Sequence, residues 1–576
     1  MKKIFTLLLC LASLGASAQQ VNGGFDETWE NCYPWAAGEK GSTAFGTTPK
    51  GWTISNVPEE SVDILGSEVT DENGGKAVKI TNKSNTILSS QKIPAYITLG
   101  TTWATAETRL TSIRNADGGA FGGVSFKYKP DGIRFKYQRS SADASQPASV
   151  IVYMWNGTWS QASVPSNTAV GLFGWGDATE VTMTDRDRNI LGMTTATGGT
   201  TTSTNDAKLL FSFQGNITED VSTWTTYEKY FDWGENENED ISNAKLNIII
   251  SANDYFGDRS AIVGDNSLTI DDVELIYNSS LSDLQFNGET ISGFAKDTYE
   301  YTIDDGYTDG CITFTKDCVG GTVEGRFEPS SNSYIITVKG DDYKSNPSNT
   351  HTYTVKFTKV IINDGDDINE VGHISTGTVV LNRTFKAGWN TVCLPFPVTA
   401  ARLGSSVTTY TLSTPSGDAI TFSKTSSAIA KNTPFLANFP SEVNSITFTS
   451  RTIDEDKTPL VKTCGDWTFT GSYEPSISME GKWGVVNDGS KVRKGGASST
   501  LKSTRAYLEY NGTANVNEMR IIIDGEETTI TEIDGMPVGN FDVYNLQGVR
   551  VRQNVNSLDG LNKGIYIVNG KKHIVK

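Results

Sequence analysis

The chain has 576 residues, with 49 Lys and Arg against 67 Asp and Glu, for a net charge of -18. Negative charge spread along the whole length favours solubility and argues against nucleic acid or an anionic membrane as a partner. At about 100 to 200 residues per domain, the length calls for about three to five domains.

Residues 1–18 carry Lys2 and Lys3, an apolar run from Ile4 to Leu14, then Ala16-Ser17-Ala18. This is the layout of a cleaved secretory signal, so an exported protein of the bacterial surface or medium is predicted. No later segment approaches the roughly 18 apolar residues that a membrane-spanning helix needs, so the chain is not expected to span a bilayer. Cys10 lies in the signal, leaving Cys32, Cys311, Cys318, Cys393 and Cys464. Five is an odd number, so they do not form a complete disulfide framework. Cys311 and Cys318 would be roughly 23 Å apart on one straight strand, so pairing them needs a turn between. The three histidines, His351, His373 and His573, sit in three different regions. That scarcity argues against a multi-histidine zinc site or a Ser-His-Asp arrangement.

Period-two alternation recurs from end to end and helical spacing hardly occurs, so the predicted class is all-β and multi-domain. The first unit spans 19–278. Phe126 and Tyr128, the turn Pro130-Asp131-Gly132, then Ile133, Phe135 and Tyr137 read as one hairpin with a buried face. Val150 to Trp155 is apolar on both faces, which suits either a sandwich interior or a strand whose outer aromatics form a surface. In Leu268 to Leu275 the apolar residues change parity after Ile270, which predicts a bulge at Asp271 and Asp272.

Flat aromatic faces among amides and carboxylates are what sugar recognition uses. Tyr153, Trp155 and Trp159, with Asn156-Gly157 turning between the indoles, are the densest supply; Trp175 and Trp103 follow. For any one of them a buried structural role is the commoner outcome. Trp29 and Trp52 are assigned to the core. Acids are plentiful, as in Asp185-Arg186-Asp187, yet nothing separates a glycosidase pair from solvated surface acids. No P-loop, dinucleotide fingerprint or nucleophile elbow occurs, which argues against a cofactor enzyme.

Asn22-Gly23-Gly24-Phe25-Asp26-Glu27-Thr28-Trp29-Glu30, Pro49-Lys50-Gly51-Trp52 and the closing Leu268 to Leu275, in this order, resemble the carbohydrate metabolism domain (PCMD) family of secreted Gram-negative proteins. That resemblance implies a jelly-roll β-sandwich of carbohydrate-binding type, and a structural calcium held by Glu27 and Asp271, with Asp272 as substitute. Read as residues alone, these three acids could also be solvated edge groups. The second unit, 279–360, with Leu281, Leu284, Phe286, Phe294, Tyr299 and Tyr301, resembles cadherin-like, immunoglobulin-type sandwiches that serve as spacers. The polar run Asn363-Asp364-Gly365-Asp366-Asp367, within 361–375, reads as a linker. Residues 376–530 form a third β unit similar to a module recurring in bacterial surface proteins. There Cys393, among apolar neighbours, reads as a buried small hydrophobe. The last unit, 535–576, is similar to the C-terminal sorting domain of Por-type secretion, and its Asn569-Gly570 pair predicts a two-residue hairpin turn.

Together these features predict a secreted or outer-membrane surface protein that binds a glycan through its first domain without catalysis. The alternatives are a structural or adhesive protein with a protein partner, and a glycoside hydrolase.

Overall fold

The computed structural model describes residues 21–575 except 34, 37–38, 41–43, 58–61, 87–91, 110–111, 158–159, 162–182, 185–207, 417–418, 514–517, 525, 528–531, 534–535 and 538–539. The fold is all-β and multi-domain, built of strands with short 3-10 turns and a single-turn α-helix at Ala400–Leu403 among the described residues.

Nine strands make the two main layers of the first unit: β1 (Gly66–Thr70), β2 (Lys76–Thr81), β3 (Tyr96–Thr98), β4 (Gly132–Ser140), β5 (Ala148–Asn156), β6 (Lys208–Ile217), β7 (Val221–Tyr230), β8 (Lys245–Ser251) and β9 (Ser267–Ile276). One sheet runs β7-β4-β9-β2-β1 and the other β6-β5-β8-β3, continued by Thr53–Ile54. Between them lies a core of Ile80, Phe135, Val150, Val152, Met154, Ile248, Ile250, Leu268 and Ile270, all fully buried. Trp52 is buried in this core and Trp29 packs against it.

The bulge expected in β9 is present. Arg134 pairs with Glu274 but Lys136 with Asp271, so β9 has one residue more than β4 across that step. Asp272 takes a φ of 52° there, and Val273 returns to the core with Leu268 and Ile270. The chain start is stitched to the bulge by Val273 N–H donating to Gly23 O at 3.0 Å. A Cβ on Gly23 would stand 1.8 Å from Val273 O, so only glycine lets the two backbones approach this closely.

The hairpin expected around Pro130-Asp131-Gly132 is not formed. Val124–Ser125 pairs with β8 in one sheet, while β4 pairs with β7 and β9 in the other. The turn therefore carries the chain across the sandwich. Phe126 and Phe135 alternate correctly because each faces the same core from a different layer.

In the second unit Leu281–Phe286, Glu289–Thr290 and Ile312–Lys316 form one sheet, and a second sheet contains β10 (Thr350–Asn363). Their shared core includes Leu284, Ile336, Tyr353 and Val355. Cys311 and Cys318, on either side of the strand Ile312–Lys316, are both buried free thiols, held apart by the extended chain between them. Over its second half β10 pairs in parallel with β11 (Ile374–Asn382) of the third unit. The acidic run read as a linker is thus the end of a strand plus an ordered turn. Asp364 accepts from Arg505 Nη1 at 2.6 Å and from Lys502 Nζ at 3.0 Å, and Ile368 is fully buried. The third unit closes around an 11-stranded sheet, with Cys393 fully buried in its apolar core. In the last unit Gly564–Val568 and Lys571–Val575 pair across the Asn569-Gly570 turn.

Candidate functional site

Tyr153 and Trp155 are fully buried, so neither presents a ring to solvent. Val150, Val152 and Met154 face the inter-sheet core, while Ile151, Tyr153 and Trp155 face the other way into a second cluster with Tyr96, Ala120 and Ile249, flanked by Tyr255 and Phe256. Of the two readings left open for this strand, the interior one holds. The polar tips are satisfied inside: Asn247 Nδ2 donates to Tyr153 Oη at 2.9 Å, and Trp155 Nε1 donates to Gly122 O at 3.1 Å. Lys245 Nζ lies 4.6 Å from the Trp155 ring centre. Trp159 and Trp175 lie outside the described residues, and Trp103 is placed only as part of the strand Thr101–Arg109, where its backbone pairs with Gly119.

The acids named for calcium do not form one oxygen cage. Glu27 is exposed and takes Lys50 Nζ at 3.0 Å. Asp272 pairs with Lys136 at 3.2 Å. Asp271 is buried beside Asp71, to which its carboxyl hydrogen-bonds. Burial, partly offset by the Asp272 N–H and reinforced by the charges of Asp272 and Asp71, pushes its pKa up to about 7. Among the described residues no group of three or more His, Cys, Asp or Glu is arranged to hold a metal ion.

What the structure does assemble is a cleft of about 570 Å³ where the first and second units meet, lined by Asp131, Tyr230, Asn278, Lys296, Asp317 and neighbouring residues. It exists because the turn before β4 plugs into the second unit. Both Asp131 oxygens accept backbone N–H groups at 2.7 Å, Oδ1 from Val319 and Oδ2 from Asn278. Lys129 N–H donates to Asp341 Oδ2 at 2.6 Å, and Asn349 Nδ2 donates to Tyr277 O at 2.8 Å. Burial outweighs the two N–H donors and pushes the Asp131 carboxyl up to about 6, with Asp317 and Asp341 adding to the shift. With both oxygens committed, Asp131 serves as a clamp.

Tyr230, at the end of edge strand β7, is 52% exposed. Its hydroxyl donates to Glu228 Oε1 at 3.0 Å, which fixes the ring on the outer face beside the cleft. Arg134 on the adjacent strand bonds Glu274 at 2.9 Å and reaches Glu228 at 3.5 Å, extending a polar face from the cleft rim. Lys296 is exposed and Asp317 half-buried, so the lining offers donors and acceptors together. Cys318 also lines the cleft, but burial pushes its thiol up to about 11, which removes it as a nucleophile near neutral pH. Sequence reasoning missed Tyr230; the signal was parity, since Tyr227 points inward and a residue three further on points out.

No family model matches the chain, and no curated protein matches it. Among solved structures, a Bacteroides vulgatus protein described as a "putative glycoside hydrolase" is similar at 11% identity and TM-score 0.27, covering 45% of this chain and 98% of its own. A Bacteroides thetaiotaomicron protein with the same description gives 13% identity and TM-score 0.23, over 44% of this chain and 72% of its own. A carbohydrate-binding module specific for non-crystalline cellulose, CBM28, gives 12% identity and TM-score 0.19, over 44% of this chain and 97% of its own. Likenesses this distant assign neither family nor activity.

Proposed function

We propose that the protein is an exported surface protein that binds glycan, without chemistry of its own, at the cleft between its first and second units. The observation that carries this reading is the exposed Tyr230 ring beside a cleft whose lining mixes Asp317, Asn278 and Lys296. A pyranose presents a C–H face to such a ring and hydroxyls to such a rim. The site thus differs from the tryptophan platform that the sequence suggests.

Screening the full chain on a glycan array, followed by calorimetric titration of the best ligand, tests the reading. Tyr230→Ala is expected to weaken binding by about tenfold or more, the worth of about 1.4 kcal/mol, and Tyr230→Phe to keep most of it. A chain that binds no glycan, or a Tyr230→Ala variant that binds unchanged, sinks it. A spacer that presents a protein-binding surface is the second reading, favoured by the closely bonded joint at Asp131; capture of a protein partner that sugar cannot displace would support it instead.

A further inference from the structure

A second cleft, of about 340 Å³, lies where the second unit meets the third, and its lining has a different chemistry. One wall is aromatic: Tyr307 and Phe327 stack at 4.0 Å with planes 5° apart, and both rings are half-buried. The rest carries four carboxylates, Asp309, Asp366, Asp367 and Glu370, and no Lys, Arg or His. The cleft at Asp131, by contrast, is lined by Lys296 and Lys316 as well as acids.

Asn332 supplies an independent pointer to a ligand. It is 4% exposed, lines the cleft and sits in the left-handed region at φ 47°. Its Nδ2 donates to Phe357 O at 2.9 Å and Lys359 O at 3.1 Å, which fixes the amide so that Oδ1 is the free end. Among the described residues Oδ1 receives no hydrogen bond. Gly372, also in the lining, packs its backbone against this amide, and a Cβ there would stand 2.1 Å from Oδ1. An oriented acceptor on a nearly buried side chain, in a rim of carboxylates, calls for a donor that carries positive charge.

We propose that this cleft binds a ligand through a primary ammonium group. The ammonium donates to Asn332 Oδ1 and is neutralised by the carboxylate rim, while the carbon skeleton next to it lies on the Tyr307–Phe327 wall. A lysine side chain and an amino sugar share this chemistry, a methylene stem or C–H face ending in NH₃⁺. The volume suits one such group.

Titration of the full chain with Nα-acetyl-lysine amide and with glucosamine distinguishes the two sources, with Nα-acetyl-norleucine amide and N-acetylglucosamine as neutral counterparts. Saturable binding of at least one amine, at least about tenfold tighter than its neutral counterpart and weakening with added salt, is expected. Asp309 and Glu370 are exposed, so Asp309→Asn with Glu370→Gln removes charge without disturbing the fold, and is expected to lower amine affinity by about tenfold while leaving Tm unchanged. Equal binding of charged and neutral probes, no binding of either amine, or a double variant that binds as well as the parent overturns the proposal. Loss of Tyr230 should leave this binding intact, so the test stands apart from that of the glycan cleft.

Discussion

Two buried aspartates show how little the residue type says about its role. Asp271 is held near a pKa of about 7, well above the usual 3.8, so the folded chain keeps a proton that the unfolded chain has released. The native state then binds more protons, and stability is expected to fall as pH rises from about 3.8 to about 7. Chemical denaturation across that range should show the decline, and Asp271→Asn should reduce it to the part that Asp131, raised to about 6, contributes; an unchanged slope would mean that Asp271 does not carry the effect. Asp131 instead bridges the two units. Its replacement by alanine leaves two backbone N–H groups without an acceptor, at a cost of about 1–3 kcal/mol each, which urea denaturation can measure. Trp155 marks the limit of residue-level reading: a strand apolar on both faces states that both are covered or sticky, and only the packing of Tyr255, Phe256 and Ala120 over one of them decides.

Among elements, the parity change in Leu268 to Leu275 was legible because a strand that buries one face cannot skip a residue without a bulge. The Asn569-Gly570 hairpin was legible for the same local reason. The Pro130 turn was not, since turn chemistry says that the chain bends and is silent about which strand the next segment pairs with. Nor was the Tyr230 cleft or the Asn332 cleft, because each is made from segments far apart in the chain that meet only between units. At the bulge, Gly23→Ala should push the first residues away from Val273 and destabilise the first unit by about 1–3 kcal/mol. Its melting temperature should fall, whereas Gly51→Ala, with nothing within 4 Å of its Cβ but a φ of 83°, should cost less.

For the whole molecule, the acidic run at 363–367 argues that the second and third units are not beads on a flexible string. Sequence composition suggested a linker because it counts charges and not partners, and Asp364 has two. An Asp-directed protease should leave 363–367 uncut under native conditions; prompt cleavage there would show the turn to be loose. Arg505→Ala removes one of those partners and should make the site cleavable.

Strand β10 has one further consequence. Its first half completes the sheet of the second unit and its second half lines up with β11, so one continuous piece of backbone belongs to two structures. A chain emerging end-first can finish the early half as soon as it appears, whereas the late half must wait for some twenty more residues to arrive. Tension applied between the two units would load this shared backbone along its length, shearing the hydrogen bonds of the pairing from Lys359 to Asn363 together instead of opening them one by one.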